Sequence, residues 1–221
     1  MSTARRTLFA ALSLVCVVWS FAALYAQKIR LEHGNLIEQI RGEGSLTDMK
    51  VIDAAITSYN HAIDILPCNI PLHEDLALLL ALRTDSVMQS TDINAEADAL
   101  DTVHGALTNL LACSPTNGKA WLDLAMINVY REGFTKRSAR AYIMSGKVAP
   151  GESWLAEKRL IFILPFVQLL DADGQRTITR DLATLEVAHS NRTDAVIAAA
   201  QVSSKAELLG LLGQPSATRA P

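Results

Sequence analysis

The sequence predicts an all-α protein in which one apolar N-terminal helix precedes a body of short helical hairpins. Ala and Leu supply 63 of the 221 residues, while aromatic residues make up only 5% and strand-favouring β-branched residues are comparatively few. Residues 7–27 form one uncharged run, TLFAALSLVCVVWSFAALYAQ. Prolines able to end helices recur at Pro67, Pro115 and Pro150. A formal net charge of −3 and a pI near 5.9 lack the positive excess that displaces counterions from phosphates, so no nucleic-acid partner is expected.

The uncharged run follows Arg5 and Arg6, and its 21 residues suit a helix crossing a bilayer core. A buried core helix is rarely apolar on every face, and Trp19 and Tyr25 stand where interfacial anchors do. The lipid bilayer is therefore the expected partner of residues 7–27. Ala22 and Ala26 offer small residues for cleavage, but the apolar core exceeds the roughly 7–15 residues of a signal peptide. An uncleaved anchor is expected, with a cleaved, soluble periplasmic adaptor as the alternative. Val15 is too bulky for a lipoprotein signal ahead of Cys16. Lys28 and Arg30 match Arg5 and Arg6 in number, yet a very short N-terminal tail usually stays in the cytoplasm. The expected location is the inner (cytoplasmic) membrane, single-pass, with the body periplasmic.

Past residue 27, the basic residues number 18 against 23 acidic, which describes a mildly acidic soluble body able to bury a core. The apolar run Leu160–Leu170 is too short to span and contains Pro165. The chain then divides into an anchor over 1–30, a juxtamembrane connector over 31–44, a helical domain over 45–213 and a tail over 214–221.

Within that domain, Ser45-Leu46-Thr47-Asp48 reads as a capping start for a helix to about Leu66, stopped by Pro67. Pro71 fits the first turn of a helix through Leu72–Thr84, and another runs from Asn94 to Leu111 ahead of Ser114-Pro115. Further helices are expected over Lys119–Arg131, Thr135–Val148, Ser153–Leu170 and Gln175–His189. Ser204-Lys205-Ala206-Glu207 forms a capping box for a last short helix stopped by Gly213 and Pro215.

Pro115 and Pro150 lie 35 residues apart, a period typical of stacked helical hairpins. Ala54-Ala55-Ile56, Tyr59, Ala62-Ile63, Ile65 and Pro67 resemble the second helix of a tetratricopeptide repeat. Trp121, Leu124 and Ala125 resemble the first helix of a later unit, completed by Gly133, Ala141, Tyr142 and Pro150 with one extra residue in the turn. Val103, Ala106, Leu107, Leu110 and Pro115 keep the spacing with weaker identities. The resemblance covers residues 50–150 well and 151–213 in helical rhythm alone. It implies a tetratricopeptide-like α-solenoid, in which small residues let helices approach and Trp and Tyr fill gaps between hairpins. An ordinary helical bundle is the alternative.

Chemistry-bearing constellations are scarce. His33, His61, His73, His104 and His189 include no pair spaced to share one helix face, so no metal or other cofactor is expected. Asp171-Ala172-Asp173-Gly174 hints at a calcium loop, but the register puts Leu169 and Arg180 at ligand positions. No phosphate loop, nucleophile elbow or paired-carboxylate signature stands out, so the chain is read as non-enzymatic. Cys68 and Cys113 end neighbouring second helices, where a disulfide could tie repeats together. Two unbonded thiols in a helical core are the default, since a bond needs α-carbons within about 7 Å.

By the resemblance, a concave face built from first helices binds protein or peptide segments; Lys119, Leu122, Met126, Val129 and Tyr130 are the candidate contacts. The expected role is a membrane-anchored scaffold or adaptor in a bacterial envelope assembly. It resembles the small anchored repeat proteins that accompany envelope polysaccharide synthesis or export. The competing class is an envelope enzyme on a helical scaffold.

Overall fold

The computed structural model describes residues 3–43, 48–89 and 92–188. Among them the chain forms eight α-helices, one 3₁₀ helix and no strand. The helices are α1 (Thr3–Glu43), α2 (Met49–Ile65), α3 (Ile70–Met88), α4 (Ile93–Cys113), α5 (Gly118–Glu132), α6 (Lys136–Val148), α7 (Ser153–Ile163) and α8 (Ala172–Ala188). The 3₁₀ helix spans Leu164–Leu169. Ser45 to Thr47, His189, the capping box at 204–207, the last short helix and the 214–221 tail lie outside the described residues.

Two departures from the sequence expectation have simple causes. Residues 31–43, in the stretch expected as a connector, continue α1 as helix, because Ile29, Ile37 and Ile40 recur at helical spacing and are buried. The helix expected over Ser153–Leu170 stops at Ile163, since Pro165 removes a backbone donor and crowds the preceding turn. Elsewhere capping fixes the starts. Asp48 accepts from the Lys50 amide at 3.0 Å, Asn69 from Leu72 at 3.3 Å and Asn117 from Ala120 at 3.0 Å.

The chain separates into two compact units, Met1–Cys113 and Ser114–Pro221. In the first, the C-terminal half of α1 packs on α2 and α3, and α3 pairs with α4. Ile52, Ala55, Tyr59 and Ala62 of α2 are fully buried, as are Leu72 and Leu79 of α3. Asp75, itself buried, accepts from Arg30 at 3.3 Å, Arg41 at 2.9 Å and the Tyr59 hydroxyl at 3.3 Å. This clamp joins three helices through one carboxylate. Cys68 and Cys113 form a disulfide with a Cα–Cα separation of 5.2 Å, which corrects the default of two unbonded thiols. The α3–α4 hairpin runs out and back, so the end of α4 returns to the turn that follows α2.

In the second unit, α5 pairs with α6 and α7 with α8, while α5 also meets α7 and α6 meets α8. Leu122, Ala125, Ala141, Tyr142, Leu155 and Leu160 lie in one core cluster. Gly146 of α6 allows a close approach: a Cβ there would lie 2.4 Å from Thr177 Cγ2 of α8. Arg159 is fully buried, and its Nε and Nη2 each donate to Asp181 at 2.7 Å. Its remaining donors reach the Ser145 carbonyl at 3.4 Å and the Ala149 carbonyl at 3.3 Å, satisfying the end of α6. Arg180 adds a 2.6 Å bond to the Gly146 carbonyl. Burial pushes the Asp181 carboxyl up from its ordinary value, while the Arg159 hydrogen bonds pull it down.

Burial also lifts the Tyr59 and Tyr142 hydroxyls well above the ordinary value of 10.0, helped by Asp75 and Asp181 respectively. As pH rises past 10.0 the unfolded chain loses phenolic protons that the folded chain keeps, so stability falls with rising pH there. The expected result is a thermal midpoint that drops above about pH 10, with the slope flattened in a Tyr59→Phe/Tyr142→Phe variant. Equal slopes in the two proteins would contradict it.

Candidate functional site

The five contacts expected from the sequence all lie on α5, and the structure divides them. Leu122 is only 1% exposed and belongs to the core cluster, so its proposed place on a binding face is corrected. The helical period that makes Trp121 and Ala125 core positions carries Leu122 inward too, because α5 is covered by both α6 and α7. Met126 is half-buried against the same cluster, and Val129 is half-buried. Lys119 is exposed and donates to Asp123 at 2.5 Å, one turn along the helix. Tyr130 is 59% exposed.

A cleft of about 520 Å³ lies instead beside the start of α6, lined by Phe134, Thr135, Lys136, Ala139, Arg140, Ile143, Leu169 and Asp171. Gly133 takes a φ of 76°, a left-handed conformation that closes α5 and turns the chain into Phe134. The Phe134 ring stacks on Phe166 with centroids 4.6 Å apart. Thr135 then caps α6 in a reciprocal arrangement, its own N–H donating to Ser138 Oγ at 2.9 Å. Lys136, Arg140 and Ile143 follow at helical spacing on one face. Leu169 is 66% exposed at the end of the 3₁₀ helix, an apolar side chain held out beside these cations.

The cleft therefore combines apolar surface with two exposed cations and a single carboxylate. Neither Lys136 nor Arg140 has an ion-pair partner among the described residues. Such a lining suits an extended or helical protein segment carrying acidic residues next to an apolar side chain. The basic run Lys136-Arg137-Ser138-Ala139-Arg140 is the sequence signal that could have marked it, whereas the approach of Leu169 depends on tertiary packing.

A smaller cleft of about 190 Å³ lies between α1 and α3, lined by Arg30, Leu31, Gly34, Ile37, Arg41 and Asp75 among others. Its carboxylate is already held by two guanidiniums and a hydroxyl, so the cluster serves to fasten α1 to the body. Among the described residues no group of three His, Cys, Asp or Glu side chains is placed to hold a metal ion.

A second candidate surface is α1 itself. It is long and apolar enough to cross a membrane, and its side chains from Phe9 to Phe21 are left uncovered, including Val15 and Trp19. Ser20 sits within this stretch and donates to the Cys16 carbonyl at 2.8 Å, so its hydroxyl is satisfied without water. No protein-family model matches the chain, and the comparison with curated proteins finds no match.

Proposed function

We propose that this protein is a non-enzymatic, single-pass membrane scaffold whose tetratricopeptide-like periplasmic body captures an acidic protein segment at the Lys136/Arg140 cleft. The carrying observation is the continuity of α1, which runs without a break from uncovered apolar turns to the buried Ile29, Ile37 and Ile40. A helix whose far end is a structural part of the body supports a permanent anchor. Cleavage after Ala22 or Ala26 would cut where unit 1 already covers the helix, since Ala26 is 2% exposed.

The repeat reading draws support from contacts within each unit between helices two apart, α1 with α3, α5 with α7 and α6 with α8. That pattern is what stacking of successive hairpins requires. An envelope assembly, such as one making or exporting polysaccharide, is the setting in which an anchored helical adaptor of this kind would act.

The test is site-specific photo-crosslinking in intact cells from position 139, in the lining of the cleft. A discrete adduct is expected with the native chain and should be lost in Lys136→Glu/Arg140→Glu. Tyr130→Ala, on the α5 surface, should leave it unchanged. An adduct that survives reversal of both charges would defeat the cleft assignment.

A further inference from the structure

We infer that the disulfide-bonded end of unit 1 is a lipid-contacting foot, resting in the bilayer interface beside the anchor. This rests on α1 spanning the membrane. Three independent observations place that end at the membrane.

The body begins to cover α1 inside the uncharged run. Ala26 is buried, Ala22 is half-buried, and the Tyr25 ring meets His61 of α2 edge-on at 5.9 Å. His61 lies one helical turn before Ile65, where α2 ends. The turn that follows α2 is therefore at the level of the last apolar turns of α1, while Glu43 lies about 24 Å farther along the helix axis from Gln27.

Helix direction then sorts the charges. The short connections between α1 and α2 and between α3 and α4 make each pair antiparallel. The Arg83–Asp53 ion pair at 3.1 Å marks the end away from the span, and the Cys68–Cys113 bond marks the near end. At the far end stand Arg41, Asp48, Lys50, Asp85, Asp92 and Glu96. At the near end, Ile65–Leu72 (ILPCNIPL) carries no Asp, Glu, Lys or Arg, and neither does the stretch from Thr102 to Cys113, where α4 ends. Asp64, Glu74 and Asp101 are exposed charges that border these stretches in the sequence.

The near end is also apolar and stiff. Ile65 and Ile70 are 43% and 36% exposed, and Pro67 and Cys68 lie exposed between them. His73 Nε2 bonds the Pro67 carbonyl at 2.7 Å, and the disulfide ties the turn to α4. A rigid, uncharged surface continuous with an apolar span gains by lying in the lipid interface, where such groups settle about 5–10 Å deep.

Single-cysteine variants of the full chain in a Cys16→Ser background, keeping the Cys68–Cys113 bond, test this directly. Leu14→Cys, Val51→Cys, Ile65→Cys and Ile70→Cys would each carry an environment-sensitive fluorophore in phosphatidylcholine/phosphatidylglycerol vesicles. Iodide in the buffer and shallow spin-labelled lipids in the bilayer serve as quenchers. Probes at 65 and 70 are expected to lose iodide quenching and gain lipid quenching relative to the probe at 51. The probe at 14 should be quenched by lipid alone. Probes at 65 and 70 as open to iodide as the probe at 51, with 14 still in lipid, would overturn the foot and leave the anchor standing. A probe at 14 reached by iodide would overturn the anchor and the foot with it.

Discussion

Replacing Arg159 by methionine is expected to destabilise unit 2 by about 3–5 kcal/mol, because it leaves Asp181 buried without its partner. The same change removes the guanidinium donor from the Ala149 carbonyl and leaves the Ser145 carbonyl with its backbone donor, the Ala149 N–H. For a unit of this size the thermal midpoint should fall by more than about 10 °C. The loss should be greatest near neutral pH and shrink as pH falls toward the unfolded carboxyl value of 3.8. The sign follows from the raised folded-state value of Asp181: protonation removes the buried charge, so the folded state takes up a proton more readily than the unfolded one. Removing both charges in Arg159→Met/Asp181→Leu should recover much of the loss, since a packed apolar pair carries no desolvation cost. A double variant as unstable as the single one would show that the ion pair is not the source of the effect.

Removing the disulfide in Cys68→Ser/Cys113→Ser is expected to cost unit 1 about 4 kcal/mol, the chain-entropy value for a closed loop of this length. The bond spans a sequence separation of 45 residues and ties the turn that follows α2 to the end of α4. Thiol counting on the unfolded, unreduced protein should find one free thiol, Cys16, rising to three after reduction. Three thiols before reduction would exclude the bond. A stable bond of this kind also fits an oxidising compartment, in keeping with the periplasmic body proposed above.

Much of the helix plan was legible because local chemistry dictates it. Pro67 stops α2, Asn117 caps α5, and Ala55, Tyr59, Ala141 and Tyr142 are buried where the helical period puts them. The misses came from information that is not local. Leu122 looked like a surface position because the concave face was assigned by analogy with first helices, whereas α7 covers that side of α5. The run of α1 on to Glu43 was legible in part, since Ile37 and Ile40 stand at helical spacing and are buried. The Arg159–Asp181 pair joins residues 22 apart, and the Asp75 clamp gathers Arg30, Arg41 and Tyr59 from two other helices. Nothing in one sequence says which carboxylate a given arginine will meet. The cleft was hidden for a related reason: Pro165 signals a break, but the exposure of Leu169 depends on how the chain leaves the 3₁₀ helix.

The measurement that bears most directly on the anchored scaffold is the intact mass of the protein recovered from alkali-washed membranes. The account predicts a membrane-retained chain near the full 23.9 kDa, still carrying Thr7–Gln27. A shorter chain beginning at Ala23 or Gln27, released into the soluble fraction by the wash, would contradict it.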